Sequence, residues 1–335
     1  MKRGHFVAAA SGVAAGAALR TTAWAQATHL DIGTSSDPEN GGLLTVAKRM
    51  QFFSKNGLDV TLKFFPSAGD MVSAMAAGAL FMGTGATVPT ATLRGGGFPV
   101  VVIAQQADIS DAQEVVCSKD IKTPADFEGK KVGVLFGTTP QMFADAMWQH
   151  YKIPPDKVTM VNLGPADMVT ALLRGDIAGA VLWEPWSSKA VAGGAHRLVS
   201  GTNSYIPGQS GPSPLIGVHS VLVAPKPWVD SNPTIVSAAL KSLIQASQFI
   251  ISNPQKAAEE VGAELKYPTN DMRDMMAKNR YSLKIDPKLI SDMRFEAAFL
   301  LKNGKLKSPV KPEDWVYPGP LAKVDPAMVT WTPPR

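Results

Sequence analysis

The sequence predicts a two-lobed α/β protein on three observations. Short β-rich apolar runs alternate with helix-length stretches from residue 28 onward, and the alternation begins afresh near Val115 as a second series. The 335 residues, 45% hydrophobic and 18% charged, hold enough apolar chain for two cores and too little charge for disorder. Such alternation implies in each lobe a mixed, mainly parallel sheet flanked by helices, and ligands of such sheets sit beyond the carboxyl ends of the strands.

In order along the chain, residues 29–33 read as a strand, 42–56 as a helix, 58–64 as a strand and 70–77 as a helix. Residues 80–83 then form a short strand, 88–94 a helix, and the strongly apolar 99–104 closes the first series. In the second series strand 131–136 leads to helix 140–150, strand 158–162 to helix 166–174, and strand 179–182 to Trp183. Residues 201–214 are rich in Gly, Ser and Pro, "LIGVHSVLVA" resumes as a strand, and the remainder reads as helical. The division expected is 26–112 with 220–335 as one lobe and 113–219 as the other. No short-period repeat interrupts it.

Residues 1–25 read as a secretory signal: Met1-Lys2-Arg3, an Ala/Gly-rich apolar segment over 6–19, and the cleavage pattern Ala23-Trp24-Ala25. Export with cleavage after Ala25 is therefore expected, by the general or the twin-arginine route, although Lys2-Arg3 stands where the latter has an Arg pair. Cleavage removes Lys2, Arg3 and Arg20 and no acid, so the basic count falls from 33 to 30 against 28 acids. This balance, without any basic run interleaved with aromatics, gives no reason to expect nucleic acid as a partner. No later apolar stretch reads as approaching 18 residues, which predicts no membrane span. The single cysteine, Cys117, has no intrachain disulfide partner.

The most informative local stretch is "GKKVGVLFGTTPQMF", residues 129–143. A strand stops at Gly137, two hydroxyls follow at Thr138 and Thr139, and Pro140 occupies the first turn of a helix, with Thr139 the expected N-cap. The threonines either cap their own helix or seat an anion at its positive end. Comparable segments favour the second role: Thr34-Ser35-Ser36 after the first strand, with Asn40 beyond it, and Gly85-Ala86-Thr87 after the third. Strand ends on two lobes could grip one anion through uncharged donors.

These stretches together resemble the periplasmic substrate-binding proteins of ABC importers for nitrate, sulfonates, taurine and related compounds. The resemblance is carried by "FFSKNGLDVTLKFF", "AMAAGALFMGTGATVPTATLRGGGFPVVVIA", "IKTPADFEGKKVGVLFGTT" and "LGPADMVTALLRGDIAGAVLWEPW", the last holding the Trp-acid-Pro-aromatic signature Trp183-Glu184-Pro185-Trp186. It departs at Leu80-Phe81, where the family more often has acids. The resemblance implies a type II binding-protein fold, two lobes joined by two or three crossings, and a small ligand, anionic by expectation, closed between them. It also implies a periplasmic monomer without cofactor or metal that delivers its ligand to an inner-membrane ABC permease.

Other residues keep two readings each. Glu184 accepts from a ligand amine or hydroxyl, or pairs with a lobe-joining arginine; Trp183 and Trp186 wall an organic ligand or pack in the core. Gln105 and Gln106 reach the cleft or lie on a solvated loop, and His219 is read as a satisfied strand histidine, His150 and His196 as surface positions. The expected ligand-binding set is Ser35, Ser36, Asn40, Gly85, Ala86, Thr87, Gln105, Gly137, Thr138, Thr139, Trp183 and Glu184. No catalytic motif is found: H-E-x-x-H and a P-loop are absent, and "GQSGP" breaks G-x-S-x-G at Pro212. The rival readings are a pyrimidine-precursor binder or thiamine-type synthase, whose cysteine-rich motif one Cys cannot supply, and an exported sensory binding protein. The two tryptophans tilt the ligand toward an organic compound.

Overall fold

The computed structural model describes Met1 and residues 27–334, so the rest of the predicted signal segment and its cleavage point after Ala25 fall outside the described residues. In chain order the strands are β1 (Thr28–Ser35), β2 (Leu58–Phe65), β3 (Met82–Ala86), β4 (Val100–Asp108), β5 (Glu114–Cys117), β6 (Lys131–Val134), β7 (Thr159–Asn162), β8 (Gly179–Leu182), β9 (His196–Ser200), β10 (Asn203–Ser204), β11 (Gly211–Pro212), β12 (His219–Pro225) and β13 (Arg280–Lys284). The helices are α1 (Pro38–Arg49), α2 (Phe52–Lys55), α3 (Ala68–Ala76), α4 (Thr87–Gly95), α5 (Thr139–His150), α6 (Pro165–Arg174), α7 (Trp186–Ala192), α8 (Lys226–Ser231), α9 (Pro233–Ser252), α10 (Pro254–Leu265), α11 (Thr269–Met276), α12 (Pro287–Lys302) and α13 (Gly319–Val324).

The strands make two mixed sheets, one ordered β13-β4-β12-β3-β1-β2 and the other β11-β10-β9-β5-β8-β6-β7. Parallel pairing joins β1 to β2 and β3, and β6 to β7 and β8, where a helix carries the chain back between neighbours. Antiparallel pairing enters with the strands that cross between sheets: β12 runs against β3 and β4, and β5 against β8 and β9. The crossings bond to each other, Ile109 N–H donating to the Val218 carbonyl at 3.0 Å and Val218 N–H to Ser110 Oγ at 2.9 Å. At Gly201 a Cβ would lie 2.2 Å from the Ser110 carbonyl oxygen, so only glycine lets the chains approach this closely. With this topology the carboxyl ends of β1, β3, β6 and β8 turn toward the space between the sheets.

Several local expectations are corrected. α1 begins at Pro38 rather than Gly42, because Asp37 caps it by accepting from Asn40 N–H at 2.7 Å and Pro38 fits its first turn; the helical stretch then breaks at Gln51, whose φ of 61° lies in the left-handed region. The cap of α5 is Thr138, not Thr139, since the extended Thr138 already receives Gln141 N–H on its carbonyl at 3.1 Å. Gln105 and Gln106 are fully buried in β4 rather than on a loop. The helical C-terminal third also contains β13, on the edge beside β4.

The expectation that no later apolar stretch approaches 18 residues fails at α9, a 20-residue helix apolar enough by length and composition to cross a membrane. Its packing accounts for that composition, because Val236, Ala239, Leu240, Leu243, Ala246 and Ile250 are buried in the core, and two serines tie it to neighbours. Ser242 Oγ donates to the Phe52 carbonyl at 3.1 Å, and Ser247 Oγ to that of Tyr281 at 3.2 Å. Cys117 is buried within β5, which pushes its thiol up to about 12 and leaves no reactive thiolate.

Candidate functional site: a cavity of helix N-termini

Where the sheets face each other, a cavity is lined from the first sheet's side by Asp37, Glu39, Asn40, Ser67, Ala68, Gly69, Ala86 and Pro89, and from the other by Leu135, Thr138, Thr139, Pro140 and Trp183, with Ile109 and Gln113 at the crossing. The space among these atoms is about 410 Å³, part of it open to solvent. That suits a compact ligand of a few heavy atoms.

Four helices begin at this cavity. Asp37, Ser67, Ala86 and Thr138 are the N-caps of α1, α3, α4 and α5, and all four line it. Each N-terminus carries partial positive charge and backbone N–H groups without intrahelical acceptors, and together they favour an oxyanion where no Lys or Arg is present. Asp37 and Ser67 cap α1 and α3 with their side chains, whereas α4 and α5 have no side-chain cap. At α5 the expected donor changes identity. Thr138 Oγ1 turns back to the Leu135 carbonyl at 2.6 Å, and Gln141 Oε1 takes the Gly137 N–H at 2.8 Å. Thr139, 4% exposed, keeps a hydroxyl with no partner. Gly137, with φ of 77°, makes the turn that aims the two threonines differently.

The lining also holds two buried carboxyls. Asp37 accepts from Asn40, and burial raises its pKa against these hydrogen bonds. Glu39 Oε1 accepts the Glu184 N–H at 3.1 Å and Oε2 the Gln113 side-chain N–H at 2.8 Å; burial, then the nearby Asp37 charge, push it well above the usual carboxylate range. Glu39 thus ties α1 to the residue after Trp183 in the other sheet's frame.

The cavity brings together Asn40, Ala86, Thr138, Thr139 and Trp183 from the expected set. Gly137 lines a wider groove just outside, which shares Ser67, Gly69, Pro89, Leu135 and Thr138 with the cavity. The others lie elsewhere. Ser35 is buried with an unpartnered hydroxyl, Ser36 is exposed, and Gly85 packs under α3 against Met71 and Ala68. Thr87 Oγ1 is engaged by Glu296 at 2.5 Å, and Gln105 is buried with neither amide atom bonded. Glu184 pairs with Lys278 and accepts from Ser188 Oγ at 2.9 Å, with Arg197 3.6 Å away. This is its lobe-joining reading, with a lysine foremost.

Trp186 lies outside the cavity lining, and the Lys189 ammonium sits 4.4 Å from its ring centroid. His219 is satisfied by Asp292 at 2.7 Å; His150 is exposed, and His196 is half-buried with Nε2 3.4 Å from the Cys117 sulfur. Asp37, Glu39, Ser67, Gln113 and Leu135 were not among the expected residues. "DPEN" and "SAGD" carry the cap spacing that marks helix starts, which is the signal by which Asp37 and Ser67 could be found.

Comparison with known proteins bears on the fold and the family. The chain is 30% identical over 266 residues, 77% of its length and 79% of the relative's, to the taurine-binding periplasmic protein of Escherichia coli K12. Its fold superposes on the periplasmic aliphatic sulphonate binding protein SsuA from Escherichia coli with a TM-score of 0.73 at 18% identity, covering 87% of this chain and 97% of that one. The periplasmic nitrate-binding protein NrtA from Synechocystis PCC 6803 superposes with a TM-score of 0.65 at 18% identity, covering 91% and 86%. The family profile described as NMT1/THI5 like matches residues 39–257, and the chain belongs to that family.

Proposed function

We propose that this protein is the extracytoplasmic solute-binding component of an ABC importer, capturing a small oxyanion-bearing solute between its two sheets and delivering it to an inner-membrane permease. The observation that carries this reading is the convergence of four helix N-termini on one small cavity between the sheets. The family and the taurine-binding relative support it over a thiamine-type synthase. Within the reading, residues 26–112 with 220–335 form one lobe and 113–219 the other. The signal segment exports the chain to the periplasm, and the protein acts as a monomeric carrier, not a catalyst.

Thr139 donates its hydroxyl to a ligand oxygen, with backbone N–H groups at the starts of α3, α4 and α5 as further donors, while Trp183, Pro89 and Ile109 supply the apolar wall. The cavity's size favours a short aliphatic sulfonate or a similarly compact oxyanion over an aryl one. Native mass spectrometry of the mature chain against nitrate, sulfate and C1 to C3 alkyl and aminoalkyl sulfonates tests this. A single saturable adduct with at least one of them is expected, and no adduct with any of them overturns the reading.

A further inference from the structure

Thr87 and His219, two residues that the cavity leaves aside, both end on α12. Thr87 Oγ1 donates to Glu296 Oε1 at 2.5 Å, and His219 Nε2 lies 2.7 Å from Asp292 Oδ2, one turn earlier on the same helix. Glu296 is fully buried, and its Oε2 has no partner. Lys288 and Arg294 of α12 are engaged elsewhere, the first with Asp292 at 2.5 Å and the second with Glu313. A carboxyl buried with one hydroxyl donor and no cation is costly as a charge, and nothing in the packing of α12 requires one there.

What it bonds is the start of α4. Thr87 is the first residue of that helix and Ala86 its N-cap; no side chain caps it, and Ala86 and Pro89 line the cavity. The first turn of α4 therefore serves the oxyanion seat through Ala86 and Pro89 and meets Glu296 through Thr87. An ionised Glu296 and a bound oxyanion would draw on the same positive helix end and repel each other. On the strength of the solute-capture reading above, we propose that the protein captures its oxyanion together with a proton, which passes from solvent onto Glu296, so that Glu296 acts as a positioning residue that sets the charge of the seat through Thr87. The cavity lining holds no lysine or arginine, and the proton supplies the balancing charge that such a side chain would otherwise provide.

The charged groups around Glu296 leave it free to play this part. Asp292 and Lys288 share its helix, and His219 of β12 is paired with Asp292. Asp286, just before α12, is paired with Lys284 at 2.6 Å, and Lys288 also lies 3.8 Å from Asp108 at the end of β4. α4 brings its one basic residue, Arg94, only in its last turn, and the turn at 312–314 brings Glu313, held by Arg294. Burial pushes the Glu296 carboxyl well above the usual carboxylate range, the Thr87 hydroxyl pulls it back, and the Asp292 charge adds to the rise. A second negative charge at the start of α4 acts in the same direction as burial, so the complex holds the proton more tightly than the empty protein does.

Calorimetric titration of the mature chain with ethanesulfonate, which stays ionised throughout, in buffers of different ionisation heat and from about pH 5 to about pH 9, tests this. In the parent, proton uptake on binding is expected, with affinity highest at low pH and falling by about tenfold as the empty protein's Glu296 ionises, the order expected when two like charges share one helix end. Glu296→Gln keeps an acceptor for Thr87 without the charge, so its affinity at high pH should match the parent's at low pH, with the Glu296 share of the proton uptake gone. Thr87→Val removes a bond that favours the ionised carboxyl and should move the fall in affinity to higher pH. Asp37 and Glu39 are the same in all three proteins, so the differences report on Glu296. Identical pH profiles for the parent and Glu296→Gln, or, where that variant does not fold, for the parent and Thr87→Val, overturn the proposal and leave the solute-capture reading standing. Failure of ethanesulfonate to bind the parent at any pH overturns the proposal, and failure of nitrate, sulfate and the aminoalkyl sulfonates as well overturns the capture reading with it.

Discussion

Two regions where the sheets meet are both acidic, and they are built on opposite rules. In the cavity, Asp37 and Glu39 are buried without a cation, beside an unpartnered hydroxyl. Behind it, the equally buried Glu114 and Glu184 are met by cations: Lys278 lies 2.7 Å from Glu114 and bonds Glu184, and Arg197 Nε donates to Glu114 at 2.8 Å. Burial works to lower the pKa of Lys278, yet the attraction of Glu114 and Glu184 outweighs it and raises it. Lys278 comes from just beyond α11 and the two acids from the other sheet and the turn after β8, so this cluster ties the first sheet's helices to the second sheet. A paired cluster is finished structure, whereas an unpaired one is unfinished until something binds.

The largest effect should come from breaking the finished side. Lys278→Met leaves Glu114 and Glu184 with Arg197 alone and should lower stability by about 3 kcal/mol in denaturant titration. A loss within error would mean that the cluster is solvated and the contrast is false. Next comes the ligand side: Thr139→Val removes an unpartnered hydroxyl at nearly constant volume, so thermal melts should hardly move while the ligand's dissociation constant rises about ten- to a hundredfold.

Glu39→Gln sharpens the comparison through pH. Glu39 holds its proton more tightly in the fold than in the unfolded chain, so its ionisation costs stability progressively as pH rises from its ordinary 4.5 toward the raised folded value. The ligand-free variant, in which Gln113 can turn its amide to keep both bonds, should therefore melt later than the parent at pH 8, with the difference closing toward pH 4. The reverse trend would show Glu39 to be paired and ionised. The smallest change should be Thr138→Val, which loses the 2.6 Å bond to the Leu135 carbonyl and should cost about 1 kcal/mol of stability with binding little altered.

Much of the fold was legible because apolar periodicity survives any tertiary context. Strand 179–182 falls where the sequence places it, and the helix expected at 140–150 differs from α5 by one residue at its start. What was not legible depended on which of two adjacent hydroxyls points where. Thr138 and Thr139 are the same residue type one peptide apart, yet beyond the turn at Gly137 one hydroxyl bonds a carbonyl while the other is buried without a partner. Gln105 and Gln106 misled because glutamines following an apolar run read as a loop, while β4 continues through them to Asp108, with Gln106 bonded to Asn40 and Ser220. Glu39 escaped notice because nothing in sequence tells a solvated glutamate in a first helical turn from one buried against the partner sheet.

The most direct measurement is a crystal structure of the mature chain with saturating 2-aminoethanesulfonate. A cation seat for a sulfonate is offered instead by the groove where Lys189, Arg197 and Lys278 lie beside Asp271 and Asp274, whereas the cavity's lining holds no cation. The account requires ligand density among the starts of α1, α3, α4 and α5, with a sulfonate oxygen within hydrogen-bond distance of Thr139 Oγ1. Density in the groove of Lys189, Arg197 and Lys278 with the cavity empty would contradict it.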